Sequence, residues 1–124
     1  RITRQAAGFG SARIEEDHPL VDAVVDSAEE IFHESVSITG APYGCDMAGW
    51  IRLAGVPTVL YGPGEIDCSH APNEWASLET TFQCSRVLVR VTERLLKLDK
   101  EALKKANEKL VSKSAKSRSR LRRR

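Results

Sequence analysis

The sequence has no apolar run approaching the roughly 20 residues that a bilayer-crossing helix requires, so no segment is expected to span a membrane. Residues Arg1–Gly10 lack the apolar stretch of a secretory signal, and a chain that opens on arginine rather than methionine implies residues upstream. Cysteine is scarce. Cys45, Cys68 and Cys84 are odd in number and irregularly spaced, which fits reduced thiols and a cytoplasmic setting better than a disulfide framework. No C-x-x-C pair occurs, so a zinc cluster built from Cys45, Cys68 and His70 is the weaker reading of those residues. No internal repeat is present.

Acidic residues are missing from one region. Lys113, Lys116, Arg118, Arg120, Arg122, Arg123 and Arg124 stand in a Ser/Lys/Arg segment without a single acid, and together they exceed the whole net charge of +2. The rest of the chain is therefore net acidic and does not look like a nucleic-acid-binding surface. The tail has no aromatic side chains to stack on bases, so any association with nucleic acid would be sequence-independent and salt-sensitive. Residues 112–124 are expected to be disordered on their own.

What remains has the proportions of an ordinary globular protein, 41% hydrophobic and 29% charged, and 124 residues suffice for one modest core. Arg1–Ile14 reads as a strand end or a connecting loop. Asp17-His18-Pro19 reads as a helix start, because proline has no N–H to waste at the first helical position. Leu20, Val21, Val24, Val25, Ala28, Ile31 and Phe32 then mark one apolar face, ending near His33, with Asp22, Asp26, Glu29 and Glu30 opposite. Val36–Thr39 is a short β-prone run, and a second short helix runs from Asp46 to its stop at Gly55. Pro57–Tyr61 reads as a strand buried on both faces of a parallel sheet. Ser77 caps a long helix whose stripe of Leu78, Phe82, Ser85, Val89, Thr92 and Leu96, widened by Leu88 and Leu95, is expected to pack over that sheet, and residues 101–111 continue as a solvated helix. This alternation predicts α/β layering.

The chain is organised around Tyr61–Trp75, YGPGEIDCSHAPNEW, in which a Gly-Pro-Gly turn precedes a histidine and a glutamate four residues apart, His70 and Glu74. Taken with PYGCDM at Pro42–Met47 and GVPTVLYGPG at Gly55–Gly64, this string resembles the C-terminal part of the zinc-dependent acetylornithine deacetylase, succinyl-diaminopimelate desuccinylase, aminoacylase and glutamate carboxypeptidase superfamily. The resemblance covers about Glu16–Leu98. It implies the C-terminal part of an α/β/α sandwich at residues 16–98, the end of a lid domain or a linker at 1–15, and a polar helical extension with a disordered basic tail at 99–124.

By the same resemblance His70 is a ligand to one of two zinc ions, with cobalt or manganese as alternatives, and Gly44 and Asp46 belong to a Gly-x-Asp loop that seats substrate. Asp46 reads equally well as the N-cap of the helix that follows it. Glu74 is expected to support the ligand by a hydrogen bond or to start a helix. The implied reaction is metal-assisted hydrolysis of the C–N bond of an N-acyl amino acid or small peptide, with PYGCDM and SHAPNEW leaning toward the acetylornithine deacetylase-like branch. A homodimer through the lid of the full-length protein is also implied.

The family's His-x-Asp motif, its Glu-Glu pair and a further acidic ligand are not recognisable in this sequence, and no catalytic residue is assigned. Glu15-Glu16 and Glu29-Glu30 read as solvated faces, and His18 and His33 as helix-end residues. Two expectations follow. The chain is a piece of a hydrolase, inactive without the missing half of its catalytic domain, or it is a catalytically silent truncated module whose basic tail binds an acidic partner or nucleic acid.

Overall fold

Pro19 opens the first helix, α1, Pro19–Phe32, in a computed structural model that describes residues 10–121. Buried His18 is its N-cap, with Nδ1 accepting the Leu20 amide at 3.1 Å, and His33 ends it in a left-handed conformation. A single turn, α2, Met47–Gly49, continues into a π-helical turn, Trp50–Ala54. Gly55 stops this turn at φ +69°, and a β-carbon there would stand 3.2 Å from Val111 Cγ2, so glycine suits the position twice over. A 3-10 turn, Ile66–Cys68, precedes α3, Leu78–Lys97, which the Ser77 hydroxyl caps by accepting the Thr80 amide at 3.3 Å. The last helix is α4, Lys100–Leu121.

The core lies between α1 and α3. Ala23 and Ala28 of α1 meet Val87 and Val91 of α3, with Leu20, Val24, Ile31, Phe32, Val36, Tyr61 and Leu95 packed around them. Small residues on α1 allow close approach, and buried Ser27 satisfies its hydroxyl by donating to Ala23 O at 2.6 Å. Full burial of Val87 contributes about 1.5–3 kcal/mol. On the rim, Arg90 reaches Glu30 at 3.0 Å, and Arg94 reaches Glu30 at 3.0 Å and Asp26 at 3.4 Å. The acidic pairs are thus structural: Glu29 accepts the Val36 amide at 3.1 Å, and Glu15 meets Lys113 at 2.9 Å.

Three expectations need correction. The face of α3 that packs is Cys84, Val87 and Val91, whereas Leu78, Phe82, Val89 and Leu96 are 87%, 64%, 59% and 81% exposed. At about 100° per residue these two stripes lie on opposite sides of the helix, and α1 covers only one. Val36–Thr39 and Pro57–Tyr61 form no strand, nor does any other segment among the described residues. A strand exists only through a ladder partner. The α/β/α sandwich is therefore not formed by the described residues alone.

The third correction concerns the basic tail, which is helical as far as Leu121. Once α4 is nucleated by its Ala-, Leu-, Lys- and Glu-rich first half, each further turn is cheap to add. It is also anchored. Leu110 is buried, α4 packs on the π-helical turn, and Lys109 meets Asp17 at 3.0 Å. Residues 1–9, where most of the expected lid end or linker falls, and 122–124 lie outside the described residues.

Candidate functional site

The loop that follows Tyr61 hangs from the core by that residue. Tyr61 packs against the α1–α3 cluster, and its hydroxyl is buried with no hydrogen-bond partner among the described residues. Burial, and then the neighbouring Cys84 thiol, raise the phenol above its ordinary pKa. The thiol lies beside the hydroxyl without meeting hydrogen-bond geometry. Nothing in the periodicity of the sequence marks this buried hydroxyl.

Past Tyr61 the chain turns at Gly62-Pro63-Gly64, where Gly64 takes φ +106°, a conformation that L side chains rarely adopt. Consecutive turns then carry it to α3: Ser69 N donates to Ile66 O at 3.1 Å, Ala71 N to Cys68 O at 3.2 Å, and Glu74 N to Ala71 O at 3.1 Å. In the middle of these turns His70 sits at φ +62°. This left-handed conformation costs a residue with a β-carbon about 1 kcal/mol or more. The His70 amide donates to Glu74 Oε2 at 3.1 Å. Its side chain is exposed and makes no hydrogen bond among the described residues.

His70 and Glu74, paired in the sequence reading, are therefore brought together, though through the main chain of His70. Gly44 and Asp46 are exposed at the start of α2, and no hydrogen bond joins them to His70 or Glu74 among the described residues. Asp46 is the N-cap by position, its carbonyl accepting the Gly49 amide at 2.8 Å, but its carboxylate makes no capping bond. The N-cap reading thus holds for the backbone, and the side chain makes no hydrogen bond among the described residues. Of the other histidines, His18 caps α1 and His33 closes it, as their helix-end reading expects.

No group of three His, Cys, Asp or Glu side chains able to hold a metal ion forms among the described residues, and Cys45, Cys68 and His70 are not brought together as one. The three thiols are free, with Cys84 buried and the others half-buried. An exposed imidazole on a braced loop suits one coordination position of a divalent metal. It does not make a site, since a catalytic zinc takes about three protein ligands.

The model of peptidase family M20/M25/M40 matches residues 3–94, a span that includes the whole His70 loop and nearly all of α3. Over 81 residues the chain is 30% identical to the N-formyl-4-amino-5-aminomethyl-2-methylpyrimidine deformylase of Bacillus subtilis (strain 168), covering 65% of this chain and 19% of that protein. It is 31% identical over 71 residues to the Uncharacterized protein YgeY of Escherichia coli (strain K12), covering 56% of this chain and 18% of that one. Over 41 residues it is 37% identical to the deformylase of the same name from Halalkalibacterium halodurans, covering 33% of this chain and 10% of that protein. The chain spans about a fifth of the length of the first of these relatives, at 19%. No solved structure matches it.

Proposed function

This chain belongs to peptidase family M20/M25/M40, and from that membership we propose that it is the C-terminal segment of a metal-dependent hydrolase that cleaves the C–N bond of an amide. The observation that carries the reading is the His70 loop, an exposed imidazole held at φ +62° within the matched span. In this reading His70 supplies one ligand to a divalent metal, zinc by preference, and the remaining ligands come from the part of the polypeptide outside these residues. The metal's contribution is to acidify water and polarise the scissile carbonyl. The carboxylate of Asp46 and the backbone of Gly44 take the substrate-seating role, and the completed domain is an α/β/α sandwich in which Pro57–Tyr61 finds its ladder partners.

For the substrate, the proposal is an amine carrying a small N-acyl group. The motifs PYGCDM and YGPG with SHAPNEW lean toward the acetylornithine deacetylase-like branch and so toward an N-acetyl amino acid, while two of the similar proteins are named as deformylases. Both acyl groups leave a carboxylate and an amine. The test is turnover by the complete polypeptide on matched N-formyl and N-acetyl amines, before and after a chelator. Chelator-sensitive release of amine from either supports the reading, and none from both, with metal restored, counts against it. The chain alone, holding one ligand, is expected to release none.

A further inference from the structure

We propose, resting on the reading of His70 as a metal ligand, that Glu74 is a positioning residue that aims the His70 ring by clamping its main chain. A ligand histidine is ordinarily oriented by a hydrogen bond to its second ring nitrogen. The His70 ring has no such bond among the described residues, so what these residues fix is the direction of its Cα–Cβ bond, through the backbone. At φ +62° the Cα–Cβ bond points where it would not at an ordinary negative φ.

The clamp has its own frame. The His70 amide donates to Glu74 Oε2 at 3.1 Å, while the Glu74 amide donates to Ala71 O at 3.1 Å and the Ala71 amide to Cys68 O at 3.2 Å. The carboxylate is thus presented back over the turn that contains His70, and α3 begins just beyond it at Leu78. An ionised carboxylate is an acceptor only, and its bond to an N–H is charge-assisted. Removing that acceptor frees residue 70 to relax toward negative φ, which re-aims its Cα–Cβ bond and with it the ring that would hold the metal. Glu74 therefore acts through residue 70.

The test compares Glu74→Ala, Glu74→Gln and His70→Ala in the complete polypeptide, with two readouts. One is zinc affinity by competition with a chromogenic chelator, and the other is deuterium exchange at the residue-70 amide of the metal-free protein. Glu74→Ala is expected to weaken zinc binding about 10- to 100-fold and to release the amide to fast exchange. Glu74→Gln still offers an oxygen acceptor and is expected to restore most of both, which loss of the fold would not allow. Unchanged zinc affinity and amide protection in Glu74→Ala would overturn the clamp, while a drop in affinity for His70→Ala in the same assay would leave the ligand reading standing. If His70→Ala leaves zinc binding intact, the ligand reading fails separately. The amide readout then still decides: protection lost in Glu74→Ala supports the main-chain clamp, and protection kept overturns it.

Discussion

His18 Nε2 stands 3.2 Å from Asn107 Oδ1, joining the start of α1 to a helix that lies beyond the residues matched by the family model. The other ring nitrogen accepts the Leu20 amide at 3.1 Å, so the pair of bonds is satisfied by the tautomer with its proton on Nε2. The ring is only 4% exposed, so a lost partner is not replaced by water. His18→Ala removes the cap of α1 together with this tie and is expected to lower stability by about 1–2 kcal/mol. Asn107→Ala, which leaves one ring N–H unpaired, is expected to cost about 1 kcal/mol. Urea denaturation followed by circular dichroism measures both.

The two faces of α3 should differ in their sensitivity to substitution. Val87→Ala opens a gap at a fully buried position and is expected to cost about 2 kcal/mol by urea denaturation of this chain. Phe82→Ser, at a side chain 64% exposed on the opposite face, is expected to change the stability of the chain alone by less than about 0.5 kcal/mol. In the complete polypeptide, a measurable destabilisation by the same Phe82→Ser substitution would show that residues outside the described ones cover that face.

Attachment of α4 should depend on acid and on salt. Glu15 and Asp17 titrate below their ordinary values of 4.5 and 3.8, chiefly through hydrogen bonds to Lys113 and Lys109 respectively. A depressed carboxylate contributes stability that is present above its ordinary value and lost as the pH falls through the lower, folded one. Docking of α4 should therefore weaken below about pH 4, and only slightly, since both pairs face solvent. Salt at about 1 M, where the screening length is about 3 Å, should weaken it at neutral pH as well. Hydrogen exchange in Ala106–Leu110 reports both effects.

The parts of the molecule legible in the sequence are those that depend on neighbours along the chain. His18-Pro19, Ser77 and Gly55 mark helix ends through capping and backbone chemistry that act within a few residues, and all three stand where they were expected. The working face of α3 was not legible, because the stripe through Val87 and the stripe through Phe82 are both apolar and only the partner helix chooses between them. Strands were over-read for a related reason: Pro57–Tyr61 has β-prone side chains, but pairing is decided by segments far away in sequence. The length of α4 was obscured by the Ser/Lys/Arg composition of its second half, and its ties to Glu15, Asp17 and His18 have no local signal. At the candidate site, His70 and Glu74 were legible as a pair through the family resemblance, whereas the left-handed backbone and the main-chain direction of their hydrogen bond were not.

The most direct test of the account is the metal content of the complete polypeptide carrying His70→Ala, measured by elemental analysis after dialysis, with turnover followed in the same sample. The account predicts the loss of about one equivalent of zinc and a fall in turnover by orders of magnitude, with helical content and unfolding midpoint little changed. Full zinc occupancy with turnover retained would contradict it.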